Sequence, residues 1–455
     1  MSTNKPGYSP ELKDHAALAA YLQGGEKPPA SWRIGTEHEK FCFTTHDLKP
    51  LRYAGKASIL TLFQGLMDLG WHPLEDQGKI IALEDSAGAA ISLEPGGQFE
   101  LSGAPLTTLH QTCDEVHRHL DQVKTVAEAH GIAMVGLGFA PFARPSDMPM
   151  MPKGRYGIMK GYMPQVGTRG HDMMFRTCTI QVNLDFANEA DMAAKMRLGH
   201  VLQPFATALF ANSPLREGKP TGRLSERAYT WLDVDEARAG LLGAAIDGSL
   251  TYEGYVQYAL DVPMYFVMRE GQGFIDARGQ SFRDFMAGKL PALPGQRPTE
   301  KDWENHLSTL FPEARLKRFI EMRGADGGPW EHICGLPAFW VGLLYDRQSL
   351  DAVQTLTAGW TLAELEALRQ TVPMHAMATS FCGRTVQDWL RDILAICVQG
   401  LKNRARSGAQ NLNEVTYLER PQDWVERGQS PAQQVLQVFE KVRGDSRALH
   451  EALAF

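Results

Sequence analysis

The chain has 455 residues, long enough to bury a large core and to hold two or three ordinary domains. With 44% hydrophobic and 22% charged residues it has the balance of a globular protein, and a net charge of −7 argues against a nucleic-acid partner, which needs a basic patch or stripe. Its six cysteines lack C-x-x-C spacing, which argues against a structural zinc site and a disulfide scaffold and for a reducing compartment.

Met1–Pro10 is polar without an apolar core, so no signal peptide is expected, and no charge-free apolar run is long enough to span a bilayer. A cytoplasmic protein that binds neither membrane nor nucleic acid is the expectation. Residues 10–23 read as a short helix stopped by Gly24-Gly25. Trp32-Arg-Ile-Gly-Thr-Glu-His-Glu-Lys-Phe41 reads as a strand. Strand side chains alternate, so Glu37 and Glu39 share a face with Cα atoms roughly 6.5–7 Å apart. Two such acids near a core either take up a proton or hold a cation, and hard oxygen ligands suit Mg²⁺ or Mn²⁺. A solvated strand face is the plainer alternative.

Residues 57–69 are an amphipathic helix. Residues 79–85 and 90–94 form a hairpin, Pro95-Gly96-Gly97 bends the chain, and 98–102 resumes as strand with Gln98 and Glu100 on one face. Residues 106–130 carry helical spacing through Leu109, Cys113, Val116, Leu120, Val123 and Ala127; His117 and His119 do not share a face and read as solvated. Residues 132–139 are a buried strand whose Gly136-Leu-Gly138 lacks the third glycine of a dinucleotide loop. Residues 145–174, rich in Met, Pro and Gly, read as a long functional loop.

The cleanest alternation is 177–185, with Thr177, Thr179, Gln181, Asn183 and Asp185 on one face and Cys178, Ile180, Val182 and Leu184 on the other. That is a strand of an antiparallel sheet with a lined concave side, or simply one exposed to solvent. A helix over 189–211 and an arginine-rich stretch with Arg216, Arg223, Arg227 and Arg238 follow. Residues 316–324 are strand-like, with Glu321 and Arg323 on one face. From about 336 the chain is mostly helical, with amphipathic spacing over 361–370, 385–400 and 431–452. With no repeat and no flexible linker, one interdigitated domain over 1–455 is expected.

Several strands thus offer acids or amides on one face: Glu37 and Glu39, Glu94 and Glu100, Gln181 and Asn183, Glu321 beside Arg323. Four or five carboxylates in one concave site demand divalent cations, and with arginines nearby they suit phosphoryl transfer. No Walker A loop or kinase loop is present, so a nucleotide would be held by metals and a sheet surface.

The blocks Trp32–Phe41, Glu94-Pro-Gly-Gly-Gln-Phe-Glu-Leu-Ser-Gly-Ala-Pro-Leu106, Thr179-Ile-Gln-Val-Asn-Leu-Asp-Phe186, Glu321-Met-Arg-Gly-Ala-Asp-Gly-Gly-Pro-Trp330 and Leu336-Pro-Ala-Phe-Trp-Val-Gly-Leu-Leu-Tyr345 resemble the plant and proteobacterial type of glutamate–cysteine ligase, in family order. The resemblance implies an α+β, glutamine synthetase-like fold: a curved, mainly antiparallel sheet with a concave active-site face, backed and flanked by helices. It implies ATP-dependent joining of the glutamate γ-carboxylate to cysteine through γ-glutamyl phosphate, the first step of glutathione synthesis. A ligase for another amine and a non-catalytic nucleotide or metal sensor are the alternatives.

By resemblance, Glu37, Glu39, Glu94, Glu100, Gln181 and Glu321 ligate Mg²⁺ (two or three ions, Mn²⁺ in its place), and Arg323 with Glu321 serves catalysis. Arg155, Tyr156, Met159, Asn183, Arg227, Trp231 and Arg238 are expected at the substrates, and the stretch 149–174 is expected to close over them. Read alone, Cys113 and Cys334 are buried free thiols; the resemblance puts them where plant members carry a regulatory disulfide. ATP, glutamate and cysteine are the expected partners of a monomer or homodimer. Plant members carry an N-terminal transit segment, whereas this sequence begins close to the core; this adds to the expectation of a bacterial, cytoplasmic protein.

Overall fold

The computed structural model describes residues 9–408 and 411–455. Most of Met1–Pro10 therefore lies outside the described residues. The centre is a nine-stranded, wholly antiparallel sheet of β1 (Ile34–Thr44), β2 (His72–Asp76), β3 (Lys79–Glu84), β4 (Ala90–Leu93), β5 (Phe99–Ser102), β6 (Ile132–Val135), β7 (Thr179–Leu184), β8 (Ala314–Leu316) and β9 (Ile320–Asp326). The order is β8-β9-β7-β1-β5-β4-β3-β2, with β6 on the far end of β1.

β1 is the middle of the sheet because it is long enough to pair three ways. Its first half lies between β5 and β7, and Phe41–Thr44 pairs with β6. Register then sets the two faces. One face collects Ile180, Val182, Leu184, Leu101, Ile320 and Met322, which pack on the helices Leu109–Ala129, Glu189–Leu209 and Trp330–Leu344. The other face collects Glu37, Glu39, Glu100, Gln181, Asn183, Glu321 and Arg323.

Several expectations are corrected. Residues 145–174 are not a loop: they contain the helices Gly154–Val166 and Gly170–Arg176, which bury Tyr156, Tyr162, Met163, Met173 and Met174. Glycine and an internal Pro164 hide their period, and tertiary packing supplies what propensity does not. His119 is buried, edge-on to His38 with ring centroids 5.5 Å apart. Its helix is covered on more than one stripe, so the i,i+4 argument for solvation does not hold. Residues 316–324 contain a turn between β8 and β9, and β2 went unread because its outward positions are polar. The C-terminal helices begin at Trp330.

Candidate active site

Strand register builds the site. Glu39 stands directly across from Glu100, Glu37 from Gln181, and Glu321 from Asn183. Glu37 and Glu39 are both buried, which removes the solvated-face alternative. The polar face forms the floor of a cleft of about 550 Å³ lined by Glu37, Glu39, Glu94, Glu100, Gln181, Arg155, Tyr156, Met159, Arg227, Trp231 and Arg323 among others.

One bank of the cleft is acidic. The Glu100 carboxylate accepts from Ser92 Oγ (2.9 Å) and Ser102 Oγ (3.0 Å), and Glu39 accepts from the Thr179 amide at 3.0 Å. Burial, then Glu94 and Glu100, push the Glu39 carboxyl well above its ordinary range. Burial, then Glu37 and Glu94, push Glu100 up to about 7. The hairpin turn bearing Glu94 is clamped from outside. Gly97, at φ +83°, makes the turn, Met151 N donates to Pro95 O, and both Lys153 Nζ (2.8 Å) and Tyr156 OH (2.5 Å) donate to Leu93 O. Gln98 ties the other side to Met174 O and Thr177 O.

The opposite bank is cationic. Glu321 is fully buried and ringed by Arg315, Lys317 and Arg323: Arg315 Nη2 lies 2.6 and 2.9 Å from its two oxygens, Lys317 Nζ lies at 2.8 Å, and Arg323 Nη1 contacts Oε1. Burial opposes the charge, but those three cations hold the Glu321 carboxyl well below its ordinary range. Arg323 Nη1 also donates to Gln181 Oε1 at 2.7 Å, which joins the two banks.

The expected residues divide as follows. Asn183 is off the cleft wall and holds Glu37 through Nδ2 at 2.9 Å. Glu321 is likewise behind the wall, under its three cations. Arg238 is a correction: it is fully buried, bound to Asp235 at 2.5 Å and to the carbonyls of Thr309 and Pro263, stacked on Tyr265. With those partners it holds the wall together rather than reaching substrate. Arg315, Lys317 and Lys153 were missed. Arg315 and Lys317 alternate with Leu316, a signal that was available; Lys153 sits in a Met-Pro-Lys-Gly stretch with no pattern.

Among the described residues no three His, Cys, Asp or Glu side chains converge tightly enough to form a metal cage. The donor chemistry nevertheless fits a hard divalent cation. Burial with Glu94 and Glu100 raises the Glu39 carboxyl, and burial with Glu37 and Glu94 raises that of Glu100, a repulsion between oxygens that a cation would relieve; Mg²⁺ takes one or two carboxylates and completes its shell with water and phosphate oxygens. On the far side of the sheet Cys113 and Cys334 lie on facing helices with Cα atoms 5.7 Å apart and their sulfurs joined.

The fold sets an acid bank and a cation bank on one sheet face, an arrangement suited to anionic, phosphorylated groups. Among solved structures it is similar to glutamate–cysteine ligase from Francisella tularensis in complex with AMP, with a TM-score of 0.53 over 93% of this chain and 89% of that one; at 12% identity this speaks to the fold alone. A model of glutamate–cysteine ligase family 2 matches residues 33–452, and the chain belongs to that family. It is 53% identical over 424 residues to glutamate–cysteine ligase B, chloroplastic, of Oryza sativa subsp. japonica, covering 93% of this chain and 83% of that protein. It is 53% identical over 430 residues to the chloroplastic enzyme of Arabidopsis thaliana, covering 94% and 80%.

These relatives overturn the expectation of a cytoplasmic protein, since they are chloroplastic. The absence of C-x-x-C spacing does not name a compartment. No helix among the described residues is long and apolar enough to cross a membrane.

Proposed function

We propose that the chain joins the γ-carboxylate of glutamate to the amine of cysteine at the expense of ATP, giving γ-glutamylcysteine, ADP and phosphate. The observation that carries the reading is the pair of opposed banks on one sheet face, in a chain of this family. The γ-carboxylate attacks the γ-phosphorus of ATP, the bond to the bridging oxygen breaks, and ADP leaves. The cysteine amine then attacks the resulting γ-glutamyl phosphate, loses a proton, and expels phosphate.

The chain's residues divide that work. Arg315, Lys317 and Arg323 offer positive charge where the transferring phosphoryl group gathers negative charge. Glu321 fixes their orientation. Glu37, Glu39, Glu94 and Glu100, with Gln181, would hold Mg²⁺, which when bound cancels repulsion between the two anionic substrates. Arg155, Tyr156, Met159, Arg227 and Trp231 line the remaining wall, where the amino acids fit. The C-terminal helices belong to the same catalytic unit: Pro373 O accepts from the Leu224 and Ser225 amides, and Arg369 pairs with Glu313 at 2.7 Å.

The test is ADP release by the purified protein with Mg²⁺-ATP and glutamate, with and without a panel of amines, and product mass in parallel. Cysteine-dependent release with a γ-glutamylcysteine mass is expected. Release that answers only to another amine would overturn the substrate, and no release with any amine would overturn the reaction.

A further inference from the structure

Asp326 closes β9, three residues after Arg323, and is 1% exposed. Its carboxylate accepts three bonds: from Ser225 Oγ at 2.8 Å on one oxygen, and from Ser213 Oγ at 2.6 Å and the Asn212 amide at 2.8 Å on the other. All three donors belong to the stretch 212–225, which leads into the short helix Glu226–Thr230. A buried carboxylate is costly, and its partners show what it is there to order.

Both hydroxyls are relays. A hydroxyl gives one proton and keeps lone pairs to accept with. Ser225 Oγ gives its proton to Asp326 and accepts from the Ala228 amide at 3.0 Å, as the cap of the helix. Ser213 Oγ does the same and accepts from the Arg227 amide at 3.2 Å. The first N–H groups of that helix, which have no partner within it, are thereby fixed from strand β9. The helix carries Arg227 and is followed at once by Trp231, both on the cleft wall. The Arg227 side chain returns to the same strand, its Nη2 donating to Arg323 O at 2.8 Å.

We propose that Asp326 is a positioning residue for this reaction. Acting through Ser213 and Ser225, it sets Arg227 and Trp231, on the substrate wall, in register with Arg323, on the phosphate side. The proposal rests on the ligase reading given above. Its logic is geometric: a carboxylate and a phosphoryl group react only when held in near-attack contact, and a misplacement of about 1 Å has a cost on the order of 10²-fold. One strand carrying both references keeps the two halves of the site from drifting apart.

The experiment compares Ser225→Ala, Ser225→Thr and Asp326→Asn, each alone and with Arg227→Lys, by steady-state kinetics in both substrates and by amide hydrogen exchange. Ser225→Ala is expected to raise KM for glutamate about fivefold or more while KM for ATP stays within about twofold, and Ser225→Thr, which keeps the hydroxyl, restores it. In the Arg227→Lys background Ser225→Ala adds little, because its effect passes through Arg227. Exchange over 226–231 quickens in Ser225→Ala and Asp326→Asn while β9 stays protected. Fully multiplicative losses, an equal rise in both KM values, or unchanged exchange over 226–231 would overturn the proposal. Failure of the parent protein to turn over would strike the ligase reading instead, and the exchange data would still decide whether the anchor exists.

Discussion

Glu100→Gln isolates the charge built into the acid bank. In the folded protein burial and the neighbouring Glu37 and Glu94 move the Glu100 carboxyl from 4.5 to about 7. The folded state therefore binds this proton more readily than the unfolded state, so stability falls as pH rises through that window and stays lower above it. At roughly 1.4 kcal/mol per unit the penalty above pH 7 is on the order of 3 kcal/mol. Glutamine keeps the shape and removes the charge, but satisfies the Ser92 and Ser102 hydroxyls less well, a loss of about 1 kcal/mol. The net gain of about 2 kcal/mol corresponds to a Tm higher by roughly 2 °C in a chain of this length. The assay is thermal unfolding in chelator at pH 8 and pH 5, repeated with Mg²⁺. The variant should exceed the parent at pH 8 and lose the advantage at pH 5, and Mg²⁺ should raise the parent's Tm more than the variant's. A variant destabilised equally at both pH values would refute the electrostatic reasoning.

Other expectations follow from the same geometry. Glu321→Gln leaves the buried Arg315 and the cleft-facing Lys317 and Arg323 without their counter-charge, so it should cost about 3 kcal/mol of stability and abolish turnover; a parental Tm would contradict that. Arg238→Met breaks the buried pair with Asp235 and should lower Tm sharply while the surviving enzyme keeps KM for glutamate within about twofold, a change larger than that placing Arg238 at the substrate after all. Cys113 and Cys334 close a separation of 221 residues, and linking them should stabilise the fold by up to about 5 kcal/mol in the chain-entropy account; alkylation and intact mass of oxidised, unreduced protein should show four free thiols, and six would contradict it.

The sheet face was legible because a period of two is a strong signal wherever one face is buried. Thr179 to Leu184 and Glu37-x-Glu39 declared it directly, and strand pairing then brought Glu39 to Glu100 without further information. The helix 154–166 was illegible for the opposite reason. Tyr156 ties it to the acid hairpin and its apolar side chains share a cluster with Phe274, both far away in sequence, while its own composition argues against a helix. Arg227 and Arg238 show the limit for single charges. Both stand in one arginine-rich stretch, and only the fold decides that Arg227 faces the cleft while Arg238 is consumed by Asp235. Lys153 carried no pattern at all, since it acts from a loop onto a backbone carbonyl.

The central claim is that this cleft activates the γ-carboxylate of glutamate by phosphorylation. Glutamate labelled with ¹⁸O in that carboxylate, incubated with ATP, Mg²⁺ and cysteine, tests it most directly by the mass of the phosphate released. One labelled oxygen in each phosphate is the predicted result, because the acyl-phosphate bridging oxygen leaves with phosphorus. Phosphate free of label, formed at the same rate as product, would contradict the account.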